Sequence, residues 1–583
     1  MRIYTSQKMA DSIFNKRLAV YSLGFLLFFL LVCARLFYWQ VVKGDELSLQ
    51  ARKQYDWGKV LAAPRGNILA VDGSWLAASV VRYKLIANPS LIKGSIDSIV
   101  DSLMNILTTG DQKLDESKKS RIKNLLLNSK LQWVMLDSRL NEDLKRKIED
   151  LKYPFLTFEL EYSRYYPEDS IAAHLLGFVG KNEEGVDVGY FGLEGEYDLA
   201  LSGKSGYIKY EKDALGLPIL LRDSKEVDAA NGVNLKTHID KTIQTIVDKE
   251  LKNGIERYGA SSGNAIVLRP QDGAILAMSS YPSYDPAKYW EYGNEYFINP
   301  NVSYSFEPGS IFKVLVMAAG IDAGVIDSDT ICEICGGPVA VDKYLIETWN
   351  KKYRRDSIMT DVLVNSDNVG MVFVARRLGI ERMHEYLRKF GIGENTGIDL
   401  QGEVSPKLRD KSKWSIVDQA TISFGQGVAV TPIQMVRAVG AIANEGKLMT
   451  PQVVDSLSSA DWEKDILPVE SRQVISQQSA KKISYMMAQA AKNGEAKWTF
   501  LRGFKVAGKT GTAQIPIEGH YDKEKTIASF IGFAPYDNPK FVMLVTLDKP
   551  STSPWASETA APLWYKIANQ LFSYLKIPPD NQD

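Results

Sequence analysis

Residues 306–320 read FEPGSIFKVLVMAAG, and the fold and chemistry of the chain turn on them. Pro308 and Gly309 punctuate the chain before a helix. From Val314 onward the run is apolar on every side, the pattern of a buried helix. Ser310 then stands at a helix N-terminus, where the positive end of the dipole favours an oxyanion or alkoxide. Lys313 follows at i+3, so the two side chains share one face. Burial disfavours the charged form of lysine and lowers its pKa by up to ~3–5 units when complete. A neutral lysine within reach of a serine hydroxyl is a general base for nucleophilic attack. The same S-x-x-K spacing also arises by chance on surface helices, so the pair needs partners elsewhere in the chain.

Two other segments supply them. Ser366-Asp367-Asn368 lies in DVLVNSDNVGM (361–371), a polar interruption between apolar helical stretches. Ser366 suits a proton relay and Asn368 an amide contact, although all three residue types are also ordinary helix caps. Lys509-Thr510-Gly511-Thr512 lies in FKVAGKTGTAQI (504–515), which alternates like a strand. A cation and hydroxyls on a strand edge suit a peptide carboxylate, and Gly511 allows close approach to the backbone. An ordinary strand with a solvated lysine would carry the same letters. Gly503–Thr510 also matches the P-loop pattern G-x-x-x-x-G-K-[ST], which works only after a strand and at the start of a helix. Here it follows the helix-like Lys481–Lys492 and is followed by Gly511, Pro516 and Gly519, so nucleotide hydrolysis is the weakest of the readings.

Gly263–Arg269 and Ala274–Ser280 read as a hairpin across Pro270-Gln271-Asp272-Gly273. Lys505–Ile515, Thr526–Phe533 and Phe541–Leu547 read as further strands, with a helix over Lys241–Tyr258 and a closing helix over Ser557–Phe572. The expected class is α+β, an antiparallel sheet with helices inserted in its middle. Upstream, Asp97–Leu127 and Asn141–Lys152 show helical spacing. Leu18–Ala34 carries no charge, Arg35 can snorkel, and Phe37, Tyr38 and Trp39 suit a membrane interface, giving an anchor over 18–42. Arg2, Lys8, Lys16 and Arg17 against Asp11 place the N-terminus in the cytoplasm and the rest outside. A signal-peptide core is the alternative, but no A-x-A site follows. The expected order is a tail (1–17), an anchor (18–42), an N-terminal domain (43–225) and a catalytic domain (226–583).

Lys+Arg and Asp+Glu each total 70 in 583 residues, so nothing asks for a nucleic-acid partner. The four histidines are far apart and form no zinc pattern, so a catalytic base has to be something else. Cys332 and Cys335 form a lone C-x-x-C with no second pair to complete a zinc site, which leaves two thiols or one local disulfide.

S-x-x-K, S-D-N and K-T-G in this order are the signature of penicillin-binding proteins and class A β-lactamases. The chain resembles the class B penicillin-binding proteins from about Arg35 to its end. The resemblance rests also on Arg65-Gly66-Asn67-Ile68, Arg164-Tyr165-Tyr166-Pro167, Gly192-Leu193-Glu194-Gly195, Phe424-Gly425-Gln426-Gly427 and Thr431-Pro432-Ile433-Gln434. Ala70-Val71 and Glu168-Asp169 depart from the family pattern, both outside the three motifs. The resemblance implies a pedestal over 43–225 and a D,D-transpeptidase that cross-links peptidoglycan stem peptides, is acylated by β-lactams and needs no cofactor. It implies Ser310 as nucleophile, Lys313 as base, Ser366 as relay, Asn368 on the stem-peptide amide and Lys509 with Thr510 on the terminal carboxylate. Gly511 and Thr512 belong to the same substrate-binding strand, and the N–H groups of Ser310 and Thr512 to the oxyanion hole. It further implies work beside a SEDS glycan polymerase and other divisome membrane proteins. The compact pedestal and the S-F-G-Q-G…T-P-I-Q form resemble septal more than elongation enzymes, and the alternative of another class is a non-catalytic penicillin-binding sensor or divisome scaffold.

Overall fold

The computed structural model describes residues 2–44, 46–47, 56–169, 171–212, 218–219, 225–517 and 520–580. Gly519, used above against a helix, lies outside them. The chain forms two compact units, Met1–Ala63 with Lys204–Ala230, and Pro64–Gly203 with Asn231–Asp583.

In the first unit, helix α1 (Arg2–Phe37) runs into a π-turn over Tyr38–Val42. Lys16–Val42 is long and apolar enough to cross a membrane, in agreement with the expected anchor. The Arg35 guanidinium lies 5.1 Å from the centre of the Trp39 ring, the amphipathic pairing that suits a membrane boundary. Asp56–Leu61 pairs antiparallel with Gly206–Lys212, which also pairs with Lys225–Val227.

In the second unit, β1 (Trp75–Ala87) lies between β2 (Val134–Leu140) and β3 (Leu156–Tyr165). Helices α2 (Ile96–Leu107), α3 (Gln112–Leu127) and α4 (Glu142–Glu149) pack on this sheet over Leu85, Leu136 and Phe155. The expected segment Asp97–Leu127 is therefore two helices, and the Asp111 side chain caps the second by accepting from the N–H groups of Lys113 and Leu114. The same sheet continues from β1 through Ile68–Leu69 and Asn234–Thr237 to Val454–Ser458, so strands from distant parts of the chain share one ladder.

Three of the sequence boxes meet in one buried ion cluster. Arg65 Nε and Arg164 Nε donate to the two carboxylate oxygens of Glu194 at 2.6 and 2.5 Å, and Arg65 Nη1 donates to Asp198 at 2.6 Å. Glu194 has no exposed surface.

Helix α5 (Lys241–Tyr258) precedes a five-stranded antiparallel sheet. Its strands are β4 (Ser262–Leu268), β5 (Ile275–Tyr281), β6 (Ala507–Ile517), β7 (His520–Ala534) and β8 (Phe541–Asp548), in the order β5-β4-β8-β7-β6. Val542 and Leu544 face the inserted helices, while Phe541, Met543, Val545 and Leu547 face α5 and the closing helix α11 (Ala560–Tyr574). Helices cover both faces, which is why β8 and the cores of β4 and β5 are nearly continuous apolar runs instead of alternating with polar residues. The inserted layer includes α6 (Lys313–Asp322), α7 (Met359–Val364), α8 (Asn368–Leu378), α9 (Pro432–Ala443) and α10 (Gln477–Asn493). The α+β class, the hairpin and the three later strands all stand as expected.

Glu194 is the counter-charge of two buried guanidinium groups. Glu194→Ala is expected to cost about 3–5 kcal/mol, the penalty for breaking a buried pair. A urea denaturation midpoint for the purified protein measures it; a midpoint unchanged from wild type would refute the assignment.

Candidate active site

Ser310 sits in a single 3₁₀ turn, Gly309–Phe312, that leads directly into α6. Backbone contacts hold this turn from below. Gly309 N–H donates to Gly425 O at 3.1 Å, and Phe306 and Val430 exchange both of their backbone bonds at 2.9 and 3.0 Å. Gly427 N–H donates to the Glu307 carboxylate at 3.0 Å. Gly425 has φ +81°, and a Cβ there would lie 2.1 Å from Gly309 O, so only glycine allows the approach. On the other side the turn packs on edge strand β6. A Cβ at Gly511 would lie 2.6 Å from Ser529 Oγ and 2.9 Å from Ile311 Cγ2, so the missing side chain admits the serine turn itself.

Lys313 is wholly buried. Its Nζ donates to Ser366 O at 2.7 Å and to Asn368 Oδ1 at 2.8 Å, with Ser366 Oγ at 3.2 Å. Burial, reinforced by the nearby charge of Lys509, pushes its pKa down to about 7. Two strong acceptors take two amine protons, and a neutral amine keeps one lone pair for a hydroxyl. Ser366 adopts φ +56°, a conformation that costs a non-glycine residue of order 1–3 kcal/mol. It turns both the carbonyl and the hydroxyl of one residue toward the same amine. Asp367 caps α8 by accepting from Val369 N–H at 2.8 Å, so the helix-cap reading holds for this residue while its neighbours face Lys313. Asn368 Nδ2 donates to Glu347 O at 3.2 Å, which fixes the amide with its oxygen toward the lysine.

Ser310, Ser366, Asn368, Thr510 and Thr512 line one cleft. Lys509 is buried behind it, with Nζ at 3.2 Å from both the carbonyl and the hydroxyl oxygen of Thr510. Burial lowers its pKa, and the Glu495 carboxylate opposes that shift. The S-x-x-K, S-D-N and K-T-G segments, far apart in sequence, are thus brought together.

Three further residues line the cleft without having been singled out from the sequence: Glu495, Trp349 and Trp555. The two indole rings are 5.6 Å apart, and both are close to half exposed. Exposed tryptophans in polar loops were the available signal; Glu495, in the irregular stretch 493–502, offered none. Cys332 and Cys335, left open above, are disulfide-bonded and buried.

The family model of the penicillin-binding protein transpeptidase domain matches residues 263–570, and that of the penicillin-binding protein dimerisation domain matches residues 60–237. The chain belongs to the class B penicillin-binding protein transpeptidases. Among curated relatives, this transpeptidase is similar to stage V sporulation protein D of Bacillus subtilis, 31% identical over 573 residues, covering 97% of this chain and 86% of the relative. It is 29% identical over 589 residues to the peptidoglycan D,D-transpeptidase FtsI of Buchnera aphidicola, covering 100% of this chain and 99% of that one. A solved peptidoglycan synthetase from Bifidobacterium adolescentis is 26% identical, with a TM-score of 0.71 over 91% of this chain and 98% of that chain. The resemblance read from the motifs is borne out.

A lysine that titrates near 7 acts as a base only when neutral. The rate of Ser310 acylation by a β-lactam is expected to climb with pH up to about 7 and then level off. Because the Lys509 charge depresses Lys313, Lys509→Met should raise the pKa of Lys313 and move this limb to higher pH. A stopped-flow pH profile of wild type and variant reads both effects, and coincident limbs would refute the coupling.

Proposed function

We propose that this transpeptidase cross-links peptidoglycan stem peptides through an acyl-enzyme on Ser310, in septal wall synthesis. The observation that carries the reading is the buried Lys313 amine, bonded to Ser366 and Asn368 beside the cleft that Ser310 lines. Ser310 Oγ attacks the carbonyl carbon of the penultimate D-Ala, and Lys313 takes its proton. The backbone N–H groups of Ser310 and Thr512 hold the oxyanion. Lys509 and Thr510 hold the terminal carboxylate, along the strand that Gly511 keeps close to the Ser310 turn, and Asn368 holds the stem-peptide amide. Ser366 passes the proton to the leaving D-Ala nitrogen. The amine of a neighbouring stem peptide then attacks the ester, forms the cross-link and frees Ser310. β-Lactams enter as mimics of the donor.

Residues 43–225 serve as the pedestal and 226–583 as the catalytic domain. The helix over 18–42 stays in the cytoplasmic membrane with residues 1–17 inside, in line with its basic flank, Arg2, Lys8, Lys16 and Arg17. Anchor and pedestal are the surfaces for a SEDS glycan polymerase and other divisome membrane proteins. The septal assignment draws on the S-F-G-Q-G and T-P-I-Q forms at 423–427 and 431–434 and on the compact pedestal, while the Bacillus relative is named for a sporulation stage.

Fluorescent penicillin should label the wild type on Ser310 and leave Ser310→Ala unlabelled, as read by mass spectrometry of the adduct. Lys313→Ala should slow labelling about 10²–10⁴-fold, the usual worth of a general base. Labelling of Ser310→Ala would refute the assignment. Depletion in cells should give filaments; rounded cells would move the protein to elongation, and a defect confined to spores would move it to sporulation.

A further inference from the structure

The Thr510 hydroxyl donates to Glu495 Oε2 at 3.0 Å, and Glu495 lines the same cleft as Ser310, Thr510 and Thr512. A hydroxyl has a single proton to give. While Glu495 holds it, a second carboxylate cannot. The oxygen of that hydroxyl also accepts from Lys509 Nζ at 3.2 Å, so the protein's own carboxylate takes the Thr510 proton, one of the two groups that the proposed mechanism assigns to the donor's terminal carboxylate, and acts on the other, Lys509, through its charge.

Lys313 and Lys509 are buried amines, the charge of Lys509 disfavours a charge on Lys313, and the Glu495 and Asp367 carboxylates oppose the lowering of Lys313. One anion beside Lys509 favours its charge. Two anions there repel, and the burial of Lys509 and Thr510 leaves that repulsion weakly screened. Glu495 lies on the loop between α10 and β6 and is half-buried, so its side chain can swing to solvent when displaced.

We propose that Glu495 is a resident occupant of the carboxylate subsite, displaced from Thr510 by each incoming donor, and that it sets how readily anionic donors and β-lactams reach Ser310. This rests on the reading given under Proposed function. Glu495 is a specificity-determining residue on this view, not a participant in bond making. It discriminates by charge: a donor with a free terminal carboxylate competes with it, and a donor whose carboxylate is esterified does not.

The experiment uses the full-length protein in detergent and measures second-order acylation rate constants for wild type, Glu495→Gln and Glu495→Ala. The probes are a fluorescent penicillin, a thioester donor ending in a free carboxylate, and the same donor as its methyl ester. Both variants are expected to acylate roughly tenfold faster with the two anionic probes, the effect of one like-charge contact at the weak end of the Coulomb range. The ester should gain nothing. Equal or slower acylation of both variants by the anionic probes, at unchanged melting temperature, would overturn the proposal and assign Glu495 to sustaining the Lys509 charge. An equal gain with the ester would also overturn it, since relief would then be steric. If neither wild type nor variants form any Ser310 adduct, the transpeptidase reading itself fails, and the inference with it.

Discussion

The site depends on one buried amine. Lys313 has no exposed surface, and its two short hydrogen bonds go to Ser366 and Asn368, on a different helix pair from its own. Water would keep the lysine charged and useless as a base. Its removal makes a neutral form accessible near neutral pH, and the two acceptors keep that form from wandering among rotamers. Much of the inserted helical layer follows from this. Helix α6 is apolar all round because it carries the amine into the core, and the break between α7 and α8 exists where acceptors must face it. Ser366 bears a left-handed backbone conformation at the same point. Strain of this kind persists only where surrounding structure over-determines it.

The sheet and its flanking helices were legible because burial on both faces leaves unbroken apolar runs bounded by turn residues. Phe541–Leu547 and the Ala274–Ser280 arm are of this type. The three motifs were legible as chemistry because serine, lysine and asparagine at those offsets need one another. What the sequence hid were contacts with no period. Glu495 reaches Thr510 across a loop of irregular backbone, and no spacing rule links 495 to 510. Gly511 shows a subtler limit. Its letter speaks of close approach, but not of what approaches; in the fold Ser529 and Ile311 surround the space a side chain would take. The single helical segment read over 97–127 failed for a related reason. Leu107 and Leu114 stand seven apart, in helical phase across Thr108–Asp111, and it is Gly110 at φ +84° and the Asp111 cap that break the run in two.

Away from the cleft, the Arg65, Arg164 and Glu194 cluster explains why sequence boxes 30 to 129 residues apart carry charged residues that end up buried. Two guanidinium groups converge on one carboxylate with no exposed surface, and Asp198 balances the remaining charge. Such a cluster contributes little net stability compared with an apolar packing, because desolvation offsets the attraction. Its geometry is directional, however. Arg65 and Arg164 can satisfy Glu194 in few arrangements, which fixes how the segment around Ile68 meets the strand that ends at Tyr165.

The ladder that joins Ile68–Leu69 to Asn234–Thr237 and then to Val454–Ser458 bears on how the chain reaches this state. Asn67 N–H finds its acceptor on Asn234, 167 positions later, and Asn264 finds Thr546 at a separation of 282. A chain made from its N-terminus holds its early strands with open edges until the last of these partners emerges. The first sheet waits for Val454–Ser458 and the second for Phe541–Asp548, so loop-closure entropy must be met before much of the native pairing is gained. During that interval the apolar β4–β5 hairpin has a free flank, where an exposed strand edge invites pairing with another chain. Shielding of nascent residues 262–281 is thus a condition of assembly that the finished structure imposes on its own synthesis.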